Sequence, residues 1–256
     1  MDKFLNVAVE TVRKAGEKLN FLIKTDFEIK HKGEVDLVTQ ADLESEKIIT
    51  ESIKKAFPTH GILAEEGTFL ESNSKYLWII DPLDGTTNYT HRFPIYSISI
   101  ALQYKKEIVL GIVYNPSNNK LFIAVKGKGA FLNNKPIEVS GVNKISDSLL
   151  ITGFPCYIRE NPGKIFEIFK DFSLKAQGVR RCGSAALDLC YVACGRVDGF
   201  WEEGLKPWDT AAGSLILKEA GGKITKFDGS RFDIDFPEIL GTNGKIHHQM
   251  LDIVSL

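Results

Sequence analysis

The sequence predicts an α+β half fused to an α/β half, and three observations carry that reading. Up to about residue 57 apolar residues recur at helical spacing, and from Ile62 to Val139 they fall into short runs separated by turn residues. Beyond about residue 145 strands and helices alternate, the rhythm of a sheet with helical crossovers. No repeat, low-complexity tract or long linker parts the two patterns, so residues 1–144 and 145–256 are expected to form one rigid unit.

Phe4, Val7, Ala8, Thr11, Val12, Ala15, Leu19 and Leu22 place an amphipathic helix over roughly residues 3–23. The polar stretch Lys30-His31-Lys32-Gly33-Glu34 reads as a mobile loop. Thr39-Gln40-Ala41-Asp42 then leads a second helix that runs to Phe57 and stops before Pro58. Thr39 and Asp42 have the spacing of a capping box, which alone would account for both. Ile62-Leu63-Ala64-Glu65-Glu66-Gly67 is a short strand ending in two acids, and strand alternation lets at most one of them face a shared site.

Further strands are expected over Leu77–Asp81, Tyr96–Tyr104, Ile108–Tyr114, Leu121–Val125 and Ala130–Leu132. Asn133-Asn134 forms a tight hairpin turn before Ile137–Val139. In the second half, strands are predicted over Leu149–Thr152, Gly178–Arg181 and Val197–Trp201 and near Ile239. Helices are predicted over Pro162–Phe172, from Gly183-Ser184-Ala185-Ala186 to a glycine stop at Gly195, over Thr210–Ala220, and from about Lys245.

Composition narrows the function. Of 256 residues, 43% are hydrophobic and 25% charged, as in an ordinary globular protein. Thirty-two Lys and Arg against 33 Asp and Glu give a net charge of −1, with no electrostatic footprint for nucleic acid or a membrane surface. Met1-Asp2-Lys3-Phe4-Leu5 is charged early and lacks a signal peptide's apolar core, and no apolar run approaches bilayer-spanning length. Cys156, Cys182, Cys190 and Cys194 form no C-x-x-C pair. With no histidine beside them they read as small, buried and reduced, which places the chain in the cytoplasm.

The chemistry concentrates in Trp78-Ile79-Ile80-Asp81-Pro82-Leu83-Asp84-Gly85-Thr86-Thr87-Asn88. An apolar strand there delivers two carboxylates, a glycine and two hydroxyls within a few residues. Burying such carboxylates unpaired costs several kcal/mol, on the order of the penalty for any buried lone charge, so a cation is expected. Glu65 also ends a strand, and Asp209 opens a helix that follows one, which is where open sheets place ligand sites. Mg²⁺ wants about six hard oxygens in octahedral array, and Glu65, Asp81, Asp84 and Asp209 would supply several. No histidine has ligand spacing to these acids, which favours Mg²⁺ or Mn²⁺ over zinc. Asp84-Gly85-Thr86-Thr87 reads equally as a phosphate-binding turn or as a common Asp-Gly turn.

The chain resembles the inositol monophosphatase family of metal-dependent, lithium-sensitive phosphatases. Glu65-Glu66 matches the acidic pair of that family's first motif, Trp78 to Asn88 its second, and Trp208-Asp209-Thr210-Ala211-Ala212-Gly213 its third. Gly183-Ser184-Ala185-Ala186-Leu187-Asp188, followed by Gly195-Arg196-Val197-Asp198, resembles its substrate-side segment. The likeness runs from the first helix to the last and implies a layered α-β-α-β-α sandwich of the sugar phosphatase type. It further implies that Glu65, Asp81, Asp84, Asp209 and the Leu83 carbonyl hold two or three Mg²⁺ ions. Gly85 and Thr86 amides would bind phosphate. Glu65 and Thr86 would position a metal-bound water, with Asp42 as the proton's exit. Asp84, Asp209, Glu202, Gly183, Ser184 and Ala185 would contact the substrate, Glu202 through its hydroxyls. A homodimer is implied as well. Ala64 stands where the family commonly has Gly, the Lys30–Glu34 loop does not align cleanly, and Arg180 and Arg181 suit either a second phosphate or a subunit interface.

The function implied is Mg²⁺-dependent hydrolysis of a phosphomonoester, inositol 1-phosphate first, by in-line attack of a metal-activated water. Fructose 1,6-bisphosphate or another small phosphate ester is the alternative substrate. An enzyme with a nucleophilic aspartate would carry Asp-x-Asp-Gly-Thr, whereas Asp81 and Asp84 stand one residue further apart, which disfavours covalent chemistry. A regulatory protein that retains the fold is the alternative of another class.

Overall fold

Alternate residues of the same strands feed different cores, and that alternation stacks the chain in five layers. The computed structural model describes residues 1–25, 29–31 and 37–255. Positions 32–34 of the expected loop lie outside them, while Ile29–His31 (β1) pairs antiparallel with Leu37–Thr39 (β2). The outer layer holds Asp2–Leu22 (α1) and Gln40–Ala56 (α2). Beneath them lies an eight-stranded sheet. It comprises Gly61–Ala64 (β3), Phe69–Leu70 (β4), Tyr76–Asp84 (β5), Ser97–Tyr104 (β6), Glu107–Asn115 (β7), Lys120–Val125 (β8), Ala130–Leu132 (β9) and Lys135–Ile137 (β10). The order is β10-β9-β8-β7-β6-β5-β3-β4, antiparallel except for the β3–β5 pair, and Thr86–Thr90 (α3) follows β5.

A five-stranded sheet of Leu149–Thr152 (β11), Gly178–Arg180 (β12), Gly199–Glu203 (β13), Lys223–Thr225 (β14) and Glu238–Thr242 (β15) runs in the order β12-β11-β13-β15-β14. Ile165–Lys175 (α4) and His247–Val254 (α7) cover its outer face; Ala185–Ala193 (α5) and Pro207–Glu219 (α6) lie between the sheets. Trp78 and Ile80 of β5 enter the core under α1 and α2, while Ile79 enters the central one. Likewise Ile151 and Phe200 face α5 and α6, and their neighbours Leu150 and Trp201 face α4 and α7. Period-two patterning on two doubly covered sheets thus yields α-β-α-β-α.

The differences from expectation are local. Asn133 and Asn134 both take positive φ (49° and 64°), so a two-residue turn pairs Lys135 with Leu132 and the last strand starts two residues early. The first helix of the second half begins at Ile165, after a 3-10 turn over Cys156–Arg159. Lys223-Ile224-Thr225 is a strand too short to show periodicity. Cys190 is buried, but Cys156 is exposed, and no disulfide forms among the described residues. No helix among the described residues is long and apolar enough to cross a membrane.

Candidate active site

The strand expected to stop at Asp81 runs on to Asp84, through a break in its pairing. Asp81 faces Ser99 and Asp84 faces Ser97, three steps on β5 against two on β6. Such a bulge resets strand alternation, and Pro82, which lacks an N–H, sits inside it. Leu83 therefore joins Ile80 in the core under α1 and α2, while Asp84 turns toward α5. Parallel pairing of Ala64 with Ile80 sets Glu65 beside Asp81, and the Glu65 N–H donates to the Ile80 carbonyl at 3.2 Å. Asp209 arrives in the first turn of α6, where its carboxylate caps the helix by accepting from the Lys206 N–H at 2.7 Å.

These acids are crowded. Burial pushes the Asp81 carboxyl well above the usual carboxylate range, and Glu65, Asp84 and Asp209 push it further. Asp81 also makes a hydrogen-bond contact with Glu65, which two carboxylates share only when one carries a proton. Burial lifts Asp84 to about 6 against the pull of its donors, and Asp209 to about 7. Protein donors hold one oxygen of each of the three aspartates. Asp81 Oδ1 accepts from the Leu83 N–H at 2.9 Å. Asp84 Oδ2 accepts from Ser184 Oγ at 2.6 Å, from the Ala186 N–H at 2.9 Å and, longer, from Ser97 Oγ at 3.4 Å. The second oxygen of Asp84 and of Asp209 has no such donor among the described residues.

Hard, anionic oxygens beside one another, anchored on one side only, suit a divalent cation of the Mg²⁺ type. Their spacing is open: among the described residues no three His, Cys, Asp or Glu side chains form a ready coordination shell. The Leu83 carbonyl, also expected to join the metal set, lies 3.1 Å from Thr86 Oγ1.

Asp42 differs. Thr86 Oγ1 donates to its Oδ1 at 2.8 Å, while the Thr39 N–H and hydroxyl donate to its Oδ2 at 2.8 and 2.6 Å. The capping box and the contact to Thr86 therefore coexist on one carboxylate, one per oxygen. Burial raises its pKa and these donors oppose the rise.

Sequence reasoning missed what stands next to it. Asp42, Ser45 and Glu46 share one face of α2, and all are buried. Ser45 Oγ donates to the Pro82 carbonyl at 2.7 Å. Glu46 accepts from the Glu66 N–H at 2.8 Å, the Thr68 N–H at 3.1 Å and Thr68 Oγ1 at 2.6 Å. One helical stripe thus fixes Thr86, the bulge and the turn after Glu65. The available signal was three polar residues at i, i+3 and i+4 on the same face as Ala41, Ile49 and Ile53.

The residues expected on the substrate side come from the start of α5 and from β13. Gly85 caps α3 with φ of 96°, and a Cβ there would lie 3.0 Å from the Gly183 carbonyl, so only glycine lets these two segments meet. Asn88 Nδ2 ties the same join by donating to the Cys182 carbonyl at 2.7 Å. Ser184 is buried against Asp84, and Ala185 opens α5 beside it. Glu202, at the end of β13, lies flat on Gly153, where any Cβ would overlap its carboxylate. Burial, Asp209 and Asp84 raise Glu202 well above its usual range, and Arg181 pulls the other way. The Arg181 guanidinium stacks 4.8 Å from the Phe154 ring centroid.

One further buried acid was missed. Asp188 on α5 is fully buried, its two oxygens have no hydrogen-bond partner among the described residues, and burial, Glu202 and Asp84 hold it well above the carboxylate range.

The model of a family described as the inositol monophosphatase family matches residues 1–255. An inositol-1-monophosphatase of Synechocystis sp. is 44% identical, over 98% of this chain and 88% of that protein. A putative Nus factor SuhB of Neisseria meningitidis is also 44% identical, over 100% of this chain and 99% of its own. Among solved structures, extragenic suppressor protein suhB of Bartonella henselae superposes with a TM-score of 0.94 at 38% identity, covering 98% of both chains. The inositol monophosphate-bound inositol monophosphatase-II of Staphylococcus aureus superposes with a TM-score of 0.82 at 26% identity, covering 98% of this chain and 94% of that one.

Proposed function

The chain belongs to the inositol monophosphatase family and is a metal-dependent phosphatase of it, and from that premise we propose that it hydrolyses inositol 1-phosphate with Mg²⁺. The observation that carries the proposal is the set of three aspartates, Asp81 and Asp84 buried and Asp209 half-buried, each anchored by one oxygen, beside the Thr86–Asp42 hydrogen bond. In this reading Glu65, Asp81, Asp84, Asp209 and the Leu83 carbonyl hold two or three ions, with Mn²⁺ as a possible substitute. Bound divalent cations supply a water ionised near neutral pH and neutralise the leaving oxygen.

The chain's own residues do the rest. Gly85 and Thr86 present backbone N–H groups to the phosphate. The Thr86 hydroxyl, held by Asp42 at 2.8 Å, orients the attacking water together with Glu65, and the proton leaves through Thr86 to Asp42. Gly183, Ser184 and Ala185 line the polyol side together with Asp84 and Asp209, and Glu202 accepts its hydroxyls. Residues 1–144 supply the metal and phosphate half and 145–256 the substrate half, working as one body in a cytoplasmic homodimer. The exposed Arg180 and Arg181 suit either a second phosphate, as in fructose 1,6-bisphosphate, or the dimer contact.

The test is phosphate release from inositol 1-phosphate, fructose 1,6-bisphosphate and a nucleoside monophosphate, with Mg²⁺ and with or without lithium. Inositol 1-phosphate is expected to turn over fastest and lithium to inhibit. Release from none of them, while Mg²⁺ still raises the melting temperature, would point to a regulatory protein that keeps the fold.

A further inference from the structure

A cavity of about 420 Å³ lies away from the carboxylates, and its electrostatics are of the opposite sign. Its walls come from three places: the β6–β7 turn and the end of β8, the C-terminal half of α6, and the loop between β14 and β15. Each wall brings cations. Lys106 and Lys126 stand on the first, Lys218 on the second, and Lys226 and Arg231 on the third.

The acids among them are mostly committed. Glu107 pairs with Lys126. Glu219 accepts the Gly127 and Gly129 N–H groups at 2.8 and 2.9 Å. Asp233 accepts from the Asp235 N–H at 3.1 Å. Lys106, Lys218, Lys226 and Arg231 have no carboxylate within 4.0 Å among the described residues. The lining also includes apolar surface, Leu215 and Phe232, both buried, with the Lys218 amine 5.7 Å from the Phe232 ring centroid. Five cations outnumber the three carboxylates on these walls, and with Leu215 and Phe232 beneath them they suit a ligand that joins several negative charges to an apolar part. The volume falls within the ~300–1,000 Å³ of small-molecule sites.

This is a second place on the molecule. Tyr76 pairs with Tyr104 at the end of β5 remote from Asp81, so the Lys106 turn lies about 17 Å along the strand from that carboxylate. Along α6, Lys218 stands nine residues beyond Asp209, about 14 Å along the axis.

We propose that this cavity is a binding site for a small polyanionic metabolite of the nucleoside polyphosphate class, separate from the catalytic cleft. Calorimetric titration of the full chain in excess Mg²⁺ and about 150 mM salt, with a non-hydrolysable ATP analogue, tests it. One ligand per chain is expected. Lys218→Glu with Arg231→Glu should weaken binding at least about tenfold and leave inositol 1-phosphate turnover unchanged. The charge-conserving pair Lys218→Arg and Arg231→Lys should retain binding. Three results would each overturn the proposal: no binding up to about 1 mM, affinity unchanged in the charge-reversed pair, or affinity abolished by Asp81→Asn instead. A hexaglutamate peptide binding as tightly as the nucleotide would also overturn it, by assigning the surface to acidic polypeptide.

Discussion

Helix α2 and the strand end beneath it both bury carboxylates, and they treat them differently. Asp42 and Glu46 have both oxygens engaged by hydroxyls or backbone N–H groups. Asp84 and Asp209 have one oxygen anchored and one open, and Asp81 fills the gap with a contact to another acid. A carboxylate with both oxygens engaged by three donors holds geometry, because moving it breaks several bonds at once. A half-answered carboxylate among like charges is poised for a cation. Position in the hydrogen-bond network thus separates the acids proposed as metal ligands from Glu46, which holds geometry, and from Asp42, which holds geometry while accepting from Thr86.

Substitutions that score stability and turnover separately can break this distinction. The largest effect is expected from Asp81→Asn, with kcat falling by about 10³-fold or more. Its melting temperature should hold or rise, since an amide can donate to Glu65 where a carboxylate cannot. A fall in melting temperature with turnover intact would move Asp81 into the scaffold class. Thr86→Val should cost about 10²-fold in kcat with little change in KM, and should leave Asp42 Oδ1 without its donor. Steady-state kinetics on both variants check these two.

Glu46→Ala should act the other way. Three donors lose their acceptor, worth about 2 kcal/mol of stability by chemical denaturation, while KM for metal rises only through the loosened turn at Glu65. A variant as stable as the parent would show that water replaces Glu46 without cost.

The smallest effect is a pH dependence from a scaffold group far from the cleft. His247 is buried with Nε2 and Nδ1 at 3.0 and 2.9 Å from the hydroxyls of Thr225 and Thr242. Burial lowers its pKa to about 4. The unfolded chain therefore binds the proton first as pH falls. Stability is full above about 6.5 and is lost progressively as pH drops toward 4, by about 1.4 kcal/mol at pH 5.5. His247→Gln, which can still bond both threonines, should flatten that slope in melting curves.

Much of this was legible in the sequence because the signals were periodic or punctuated. The unbroken apolar run Trp78-Ile79-Ile80 already meant a buried strand, and Asn133-Asn134 already meant a turn. The extension of β5 to Asp84 was not legible, since Pro82 argues for a strand's end unless the partner strand is known to absorb a bulge. Glu46 was hidden for another reason: its partners, Glu66 and Thr68, are twenty or more residues away, and only the fold brings them together. The cationic cavity was hidden for the same reason, its five positive side chains being spread over more than a hundred residues of a chain whose net charge is −1.

The bulge at Pro82 makes the cleft a matter of counting. In a regular strand, acids two apart share a face; here acids three apart do so because one residue is looped out. Deleting that residue would preserve both aspartates, their sidedness and nearly the whole composition. It would also draw Thr86 back by one strand step, about 3.3 Å, beyond hydrogen-bonding reach of Asp42. Chain length between Asp81 and Thr86 is thus a ruler, and the chemistry is written in its divisions as much as in the letters.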